Sequence, residues 1–240
     1  MFNILYPKSR TICIVTLRAP HFFAFGTALA ALSLLAGCSA AAPQPLPLHS
    51  LANNPVVVAI GDSIMKGHGL TPADAWPALL AVDNHWRLTN FSCDGAGFLK
   101  SGASDDCGND FSGLVSEAVA KHPQLILISG SSNDLGLDNA QLRKQTETVV
   151  SSLRKKLPKA IIVGISTVWN DTTTPDQMDD INEQVKSAIG KVHGLYLNIG
   201  QPLAGHKEWM QDDDIHPTVE GQRQLALSIS AALTKAKKAR

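Results

Sequence analysis

The sequence lacks the features that would mark a nucleic-acid binder, a membrane-spanning chain or a metalloprotein. Its 21 Lys+Arg equal its 21 Asp+Glu. The only local basic excess is the tail Lys235, Lys237, Lys238 and Arg240, which reads as a solvated helix end set favourably against its dipole. Nucleic acid is therefore not an expected partner. Phe22 to Leu35 gives 14 uncharged, mostly apolar residues, short of the roughly 20 that a spanning helix needs. Metal-ligating side chains do not group either. The acidic run Asp212, Asp213, Asp214 has His216 beside it but no second histidine, a poor match to transition-metal spacing, so no metal is expected. No internal repeat and no second domain are visible.

What is present begins with an export signal. Lys8, Arg10 and Arg18 form a basic front, Phe22 to Leu35 an apolar middle, and Leu35, Ala36, Gly37, Cys38 resemble the end of a bacterial lipoprotein signal. The expected division is residues 1–37 as signal, 38–54 as a tether starting at a lipidated Cys38 and carrying Pro43, Pro45 and Pro47, and 55–240 as one folded domain. An ordinary secretory signal or an uncleaved anchor is the alternative. Two acyl chains suffice for stable anchoring, so an exported, envelope-located, membrane-anchored chain is expected, with a monomer as its favoured state. Removing the three basic residues of the signal leaves 18 Lys+Arg against 21 Asp+Glu, a balance of −3. Cys13 leaves with the signal and Cys38 takes lipid. Cys93 and Cys107 remain, 14 positions apart in a loop rich in Gly, Asp, Asn and Ser. In an oxidising compartment they are expected to be bridged, with two free thiols as the other possibility.

From Pro55 onward, short apolar runs alternate with segments of helical period, the pattern of an α/β domain with a mostly parallel sheet. Strands are expected at Val56–Ile60, Trp86–Ser92, Leu125–Ser129, Ala160–Ser166 and Leu195–Ile199. Thr71, Pro72 and Asp74 are expected to open a helix running to about Val82. Phe111–Lys121 forms the next. Asp138 with Gln141 looks like a capping box for a long helix that Pro158 stops. Thr174, Pro175 and Gln177 open another, closed by Gly190, and Pro217 starts the last. Five strands with intervening helices make a three-layer α/β/α sandwich.

Two stretches carry the chemistry. Gly61, Asp62, Ser63 directly follow the first apolar strand, which brings a hydroxyl to the carboxyl-end rim where ligands bind in open α/β sheets. Alone, such a triplet is an ordinary turn. Near the C-terminus, Asp213 and His216 are spaced so that in a tight turn the carboxylate holds one ring nitrogen while the other faces outward, the geometry of an oriented base. An acidic surface loop has the same composition. The 16 residues from Gly200 to Ile215 span roughly 50 Å when extended. Three strand spacings of about 4.8 Å are far less, so His216 can reach Ser63.

Taken together these stretches resemble the SGNH (GDSL-type) hydrolase family. Gly61, Asp62, Ser63 match its nucleophile block. Asn90 to Gly95 match its second block, Asn133 and Asp134 its third, and Asp213 with His216 its last, in order across the domain. The resemblance implies a flavodoxin-like five-stranded parallel sheet of order 2-1-3-4-5. It implies a serine esterase cleaving short acyl or O-acetyl esters of a small molecule, glycan or lipid, with Ser63 as nucleophile, His216 as base and Asp213 as its orienter. The oxyanion hole would be formed by Ser63, Gly95 and Asn133, with no cofactor. Acyl transfer through the same residues, or a non-catalytic glycan- or lipid-binding envelope lipoprotein, are the other readings. The chain departs from the family in having Ser131 where a glycine usually stands two places before the asparagine, and Gly97 replaces Gly95 as donor if the loop register shifts. Asp62 reads as a loop hydrogen-bonder. His68, like His49, His85, His122, His193 and His206, reads as structural, and Trp169 as either rim packing or a substrate contact.

Overall fold

Five runs of aliphatic residues become the strands of one parallel sheet. In the computed structural model, which describes residues 48–238, these are β1 (Val56–Ile60), β2 (Arg87–Asn90), β3 (Leu125–Ser129), β4 (Ile161–Ile165) and β5 (Leu195–Leu197), in the order β2-β1-β3-β4-β5. The expected signal (residues 1–37), the expected lipidation site Cys38 and the first part of the expected tether lie outside the described residues. β3 and β4 are buried along their whole length, as a parallel strand must be when helices cover both faces of its sheet.

Strand alternation divides the core in two. Val58, Ile60, Ile126, Ile128 and Ile162 face α3 (Phe111–Ala120), α4 (Asn139–Lys156) and α5 (Gln177–Lys191). Val57, Ala59, Leu125, Leu127 and Val163 face α1 (Ser63–Lys66), α2 (Trp76–Asn84) and α6 (Val219–Lys238). The result is the expected three-layer α/β/α sandwich with the expected strand order. Leu48 is buried in the second core and Leu51 packs against it, so apolar packing begins ahead of Pro55.

Several element starts differ from expectation. Thr71–Asp74 does not open a helix. The Thr71 hydroxyl donates to Asp74 Oδ2 at 2.6 Å and the Asp74 N–H to the Thr71 carbonyl at 3.0 Å, so this segment closes on itself as a turn. α2 begins only at Trp76, with Pro77 in its first turn and no side-chain cap. Thr174 does not cap α5. The side chain of Gln177 instead accepts from Gly136 N–H and donates to the Leu137 carbonyl and Asn139 Oδ1, joining α5 to the loop before α4. α5 runs past Gly190 to Lys191. α6 starts two residues after Pro217, which pairs with Met210 in an isolated antiparallel bridge. The Asp138 cap stands: its carboxylate accepts the Gln141 N–H at 2.9 Å.

The parallel arrangement sends every strand's carboxyl end to one rim. The segments after β1, β2, β3 and β4, together with the long connection from β5 to α6, therefore share that rim.

Candidate active site

β1 ends at Ile60, and the chain turns at once into the four-residue helix α1. Asp62 is the cap, its Oδ1 accepting the N–H groups of Ile64 (3.0 Å) and Met65 (3.4 Å). Ser63 is the first helical residue and 8% exposed. Among the described residues neither its hydroxyl nor its N–H makes a hydrogen bond. The Asp62 carboxyl is 4% exposed. Burial pushes its pKa up to about 6, against the opposing pull of the Ser131 hydroxyl, the Met65 and Ile64 N–H groups and the His216 charge.

The loop after β2 forms the facing wall. Gly95 sits at φ +74, the left-handed region that favours glycine, and its N–H has no partner among the described residues. The Gly97 N–H is committed to the Lys100 carbonyl at 2.8 Å. Gly97 is glycine for another reason, since a Cβ there would meet the Asp134 carboxylate at 2.5 Å. That carboxylate is fully buried and accepts the N–H groups of Phe98 (2.7 Å), Leu99 (3.0 Å) and Lys100 (3.0 Å). Burial raises its pKa despite these three donors. On the outer side, a disulfide joins Cys93 to Cys107 with Cα atoms 5.9 Å apart. Lys66 reaches Asp94 (3.3 Å) and Asp106 (2.6 Å), tying this loop to the end of α1.

The loop after β3 joins the two walls through Ser131, which is fully buried. Its Oγ lies 2.9 Å from Asp62 Oδ2 and 2.8 Å from the Ala96 carbonyl, and accepts from Asn133 N–H and Asn133 Nδ2, each at 3.1 Å. Asn133 Nδ2 also donates to the Ala96 carbonyl at 3.0 Å. Where the family has glycine, this chain places a hydroxyl that links the Asp62 corner, the Gly95 loop and Asn133. Its departure from glycine was the one sequence signal of that link.

The loop carrying Asp213 and His216 closes the site from the far end of the chain. His216 Nδ1 lies 2.6 Å from Asp213 Oδ2, and Asp213 Oδ1 accepts the N–H groups of Ile215 and His216, each at 2.9 Å. Burial pushes the Asp213 carboxyl up, but the His216 ring and the two N–H donors outweigh it and hold the group well below the usual carboxylate range. Gln211 Nε2 bonds the carbonyls of His68 (2.8 Å) and Pro217 (2.9 Å), docking this loop on the segment after Ser63. The His68 ring stacks on His216, centroids 4.2 Å apart and planes inclined by 29°. His216 and Ser63 are not directly hydrogen-bonded. Contacts of this kind are often loose without substrate and tighten with it. Trp169 donates its indole N–H to Thr172 and its backbone N–H to Gln201, a bracing of the rim loops after β4 and β5.

The structure thus gathers Ser63, Gly95, Asn133, Asp213 and His216 onto one rim. It adds three residues to which the sequence assigned no such part: Ser131, Asp134 as the clamp of the Gly95 loop, and His68. Nothing in the spacing around His68 signalled its contact with His216, because the partner lies on a different segment.

Residues 59–224 match the profile of the GDSL-like Lipase/Acylhydrolase family. A protein of Mycobacterium tuberculosis named as a GDSL lipase is 28% identical over 232 residues, covering 87% of this chain and 96% of its own length. Among solved structures, a psychrotrophic esterase from Pseudoalteromonas sp. superposes with a TM-score of 0.59 at 17% identity, over 75% of this chain and 97% of that one. A salicylyl-acyltransferase from a tetracycline biosynthetic pathway does so with 0.59 at 21%, over 77% and 55%. The two superpositions are likenesses of fold.

Proposed function

Because the chain belongs to the GDSL-like lipase/acylhydrolase family and is an ester hydrolase, we propose that it cleaves short acyl or O-acetyl esters through an acyl-enzyme on Ser63. The Ser63 hydroxyl attacks the ester carbonyl while His216 takes its proton on Nε2, the nitrogen not held by Asp213. The proton passes to the leaving alcohol. Water, deprotonated by His216 in turn, then releases the acid and restores Ser63. Asp213 holds the ring in the tautomer this requires and stabilises the imidazolium. The N–H groups of Ser63 and Gly95 are uncommitted donors for the developing oxyanion, and the Asn133 amide is the third once it exchanges one internal bond for substrate. Each such donor is worth on the order of 10²- to 10³-fold in turnover.

One observation carries this reading. The Asp213–His216 pair, 2.6 Å apart, is docked by Gln211 and His68 on the segment that begins at Ser63. The acyl acceptor in the second half-reaction is water. The substrate is an ester of a small molecule, a glycan or a lipid. Export, with lipidation at Cys38 tethering a monomeric domain to the envelope membrane, completes the proposal.

A fluorophosphonate probe and short p-nitrophenyl esters, applied to the wild type and to Ser63→Ala, test it. Labelling of Ser63 and ester turnover, both lost in Ser63→Ala, are expected. Labelling without turnover would replace hydrolysis by transfer to another hydroxyl, and an unlabelled Ser63 would remove it as the nucleophile. Mass spectrometry of the N-terminal peptide tests the anchor, with a diacylated Cys38 expected.

A further inference from the structure

We propose that His68 is a positioning residue for His216, a wall that keeps the base aimed at Ser63. The inference rests on the assignment of Ser63 and His216 given above. A ring held at one edge by a single Nδ1···Oδ2 contact can still pivot about that contact, carrying Nε2 away from the nucleophile. The His68 ring, stacked on His216 with centroids 4.2 Å apart and planes inclined by 29°, blocks that swing on one side.

The wall is itself held at three points. The His68 N–H donates to the Ser63 carbonyl at 3.0 Å. Its carbonyl accepts from Gln211 at 2.8 Å. Its Nδ1 lies 2.8 Å from Asp94 Oδ2, and Asp94 is fixed in turn by Lys66 at 3.3 Å and by its own N–H on Asp106 at 2.8 Å. Asp94 immediately precedes Gly95. His68 therefore touches the nucleophile segment, the loop carrying Gly95 and the segment carrying His216, and sets their spacing. A role confined to folding would not require an aromatic plane on the base. The His68 side chain is 43% exposed, so its removal does not open a core cavity.

Turnover of p-nitrophenyl acetate by the full chain, with thermal melting recorded alongside, separates the possibilities. His68→Ala is expected to lower kcat about tenfold, in line with the cost of a base displaced by a fraction of an ångström, and to leave KM within about twofold. His68→Phe, which restores a flat ring but not the bond to Asp94, is expected to recover kcat to within about threefold of the wild type. Asp94→Asn, which keeps the ring and weakens its tether, is expected to lose less than His68→Ala. Wild-type kcat in His68→Ala overturns the proposal. So does a His68→Phe protein no faster than His68→Ala when both melt with the wild type. Should His68→Ala melt early, the Phe and Asn variants decide by the same split of kcat from KM. A wild type that leaves Ser63 unlabelled by fluorophosphonate points instead to failure of the nucleophile assignment beneath it.

Discussion

At the scale of single residues, Asp62 is the group whose chemistry departs furthest from its sequence reading. It is a loop hydrogen-bonder, as its place in a turn suggested, but a buried one, with its pKa pushed up to about 6 by that burial. A carboxyl raised in this way keeps its proton in the folded chain after the unfolded chain has released it near pH 4. Its contribution to stability is fully present below the unfolded value and is lost as pH rises through about 6. Asp62→Asn stays uncharged throughout. It keeps an oxygen for the Ile64 and Met65 N–H groups and turns an amide towards Ser131. Relative to this variant, the wild type is expected to lose about 2–3 kcal/mol of stability between pH 4 and pH 7. Urea unfolding of both proteins at the two pH values measures the difference. A constant gap would mean that Asp62 titrates as an ordinary carboxyl.

At the scale of elements, the loop from β2 to α3 shows what was legible and what was not. The pairing of Cys93 with Cys107 was expected from cysteine counting on the reading of residues 1–37 as an export signal, and the structure contains the bridge. The choice between Gly95 and Gly97 could not be made from spacing. Packing separates them, since the Gly97 N–H is held by Lys100 and its missing side chain makes room for Asp134. Helix starts were obscured for a related reason. Thr71 and Asp74 have the residue types of a helix entry but satisfy each other in a turn, and Gln177 serves the loop before α4. Polar side chains have several local partners of similar strength, whereas a run such as Leu125–Ser129 has one way to leave water. The bridge closes a loop of 14 positions, so Cys93→Ser with Cys107→Ser is expected to lower stability by about 3 kcal/mol through the regained entropy of the unfolded chain. Because the loop carries Gly95, kcat is expected to fall with KM little changed. Urea unfolding and ester kinetics on the double variant check both. Undiminished turnover would leave the bridge a stabilising role only.

At the scale of the whole molecule, the number of strands was legible in the apolar runs, but their order was not, because alternation says nothing about which strands are neighbours. The order came with the family resemblance, and the register, with Ile60 opposite Ile128 and Ser129 opposite Ile165, agrees with it. This order puts β1 and β3 side by side at the centre of the rim, so that Ser63 and Asn133 leave adjacent strands, while Gly95 follows the strand on the other side of β1. The two cores on either side of the sheet share those strands, which makes the site depend on both. Leu127 and Ile128 are adjacent on β3 and fully buried on opposite faces. Leu127→Ala and Ile128→Ala are each expected to cost about 2–5 kcal/mol by cavity formation. Each is also expected to leave a single transition, because neither core can come apart without exposing the strand they share. The tryptophans make this measurable. Trp76, Trp86 and Trp209 all lie in or against the Leu127 core, so in a Trp169→Phe background, which removes the rim tryptophan, fluorescence reports one face and far-UV circular dichroism the whole. Coincident curves in both variants are the expected result. A fluorescence midpoint that moves ahead of the dichroism in Leu127→Ala would show that the face bearing α1 and α6 can loosen by itself, taking the Ser63 corner with it while the Gly95 wall remains folded.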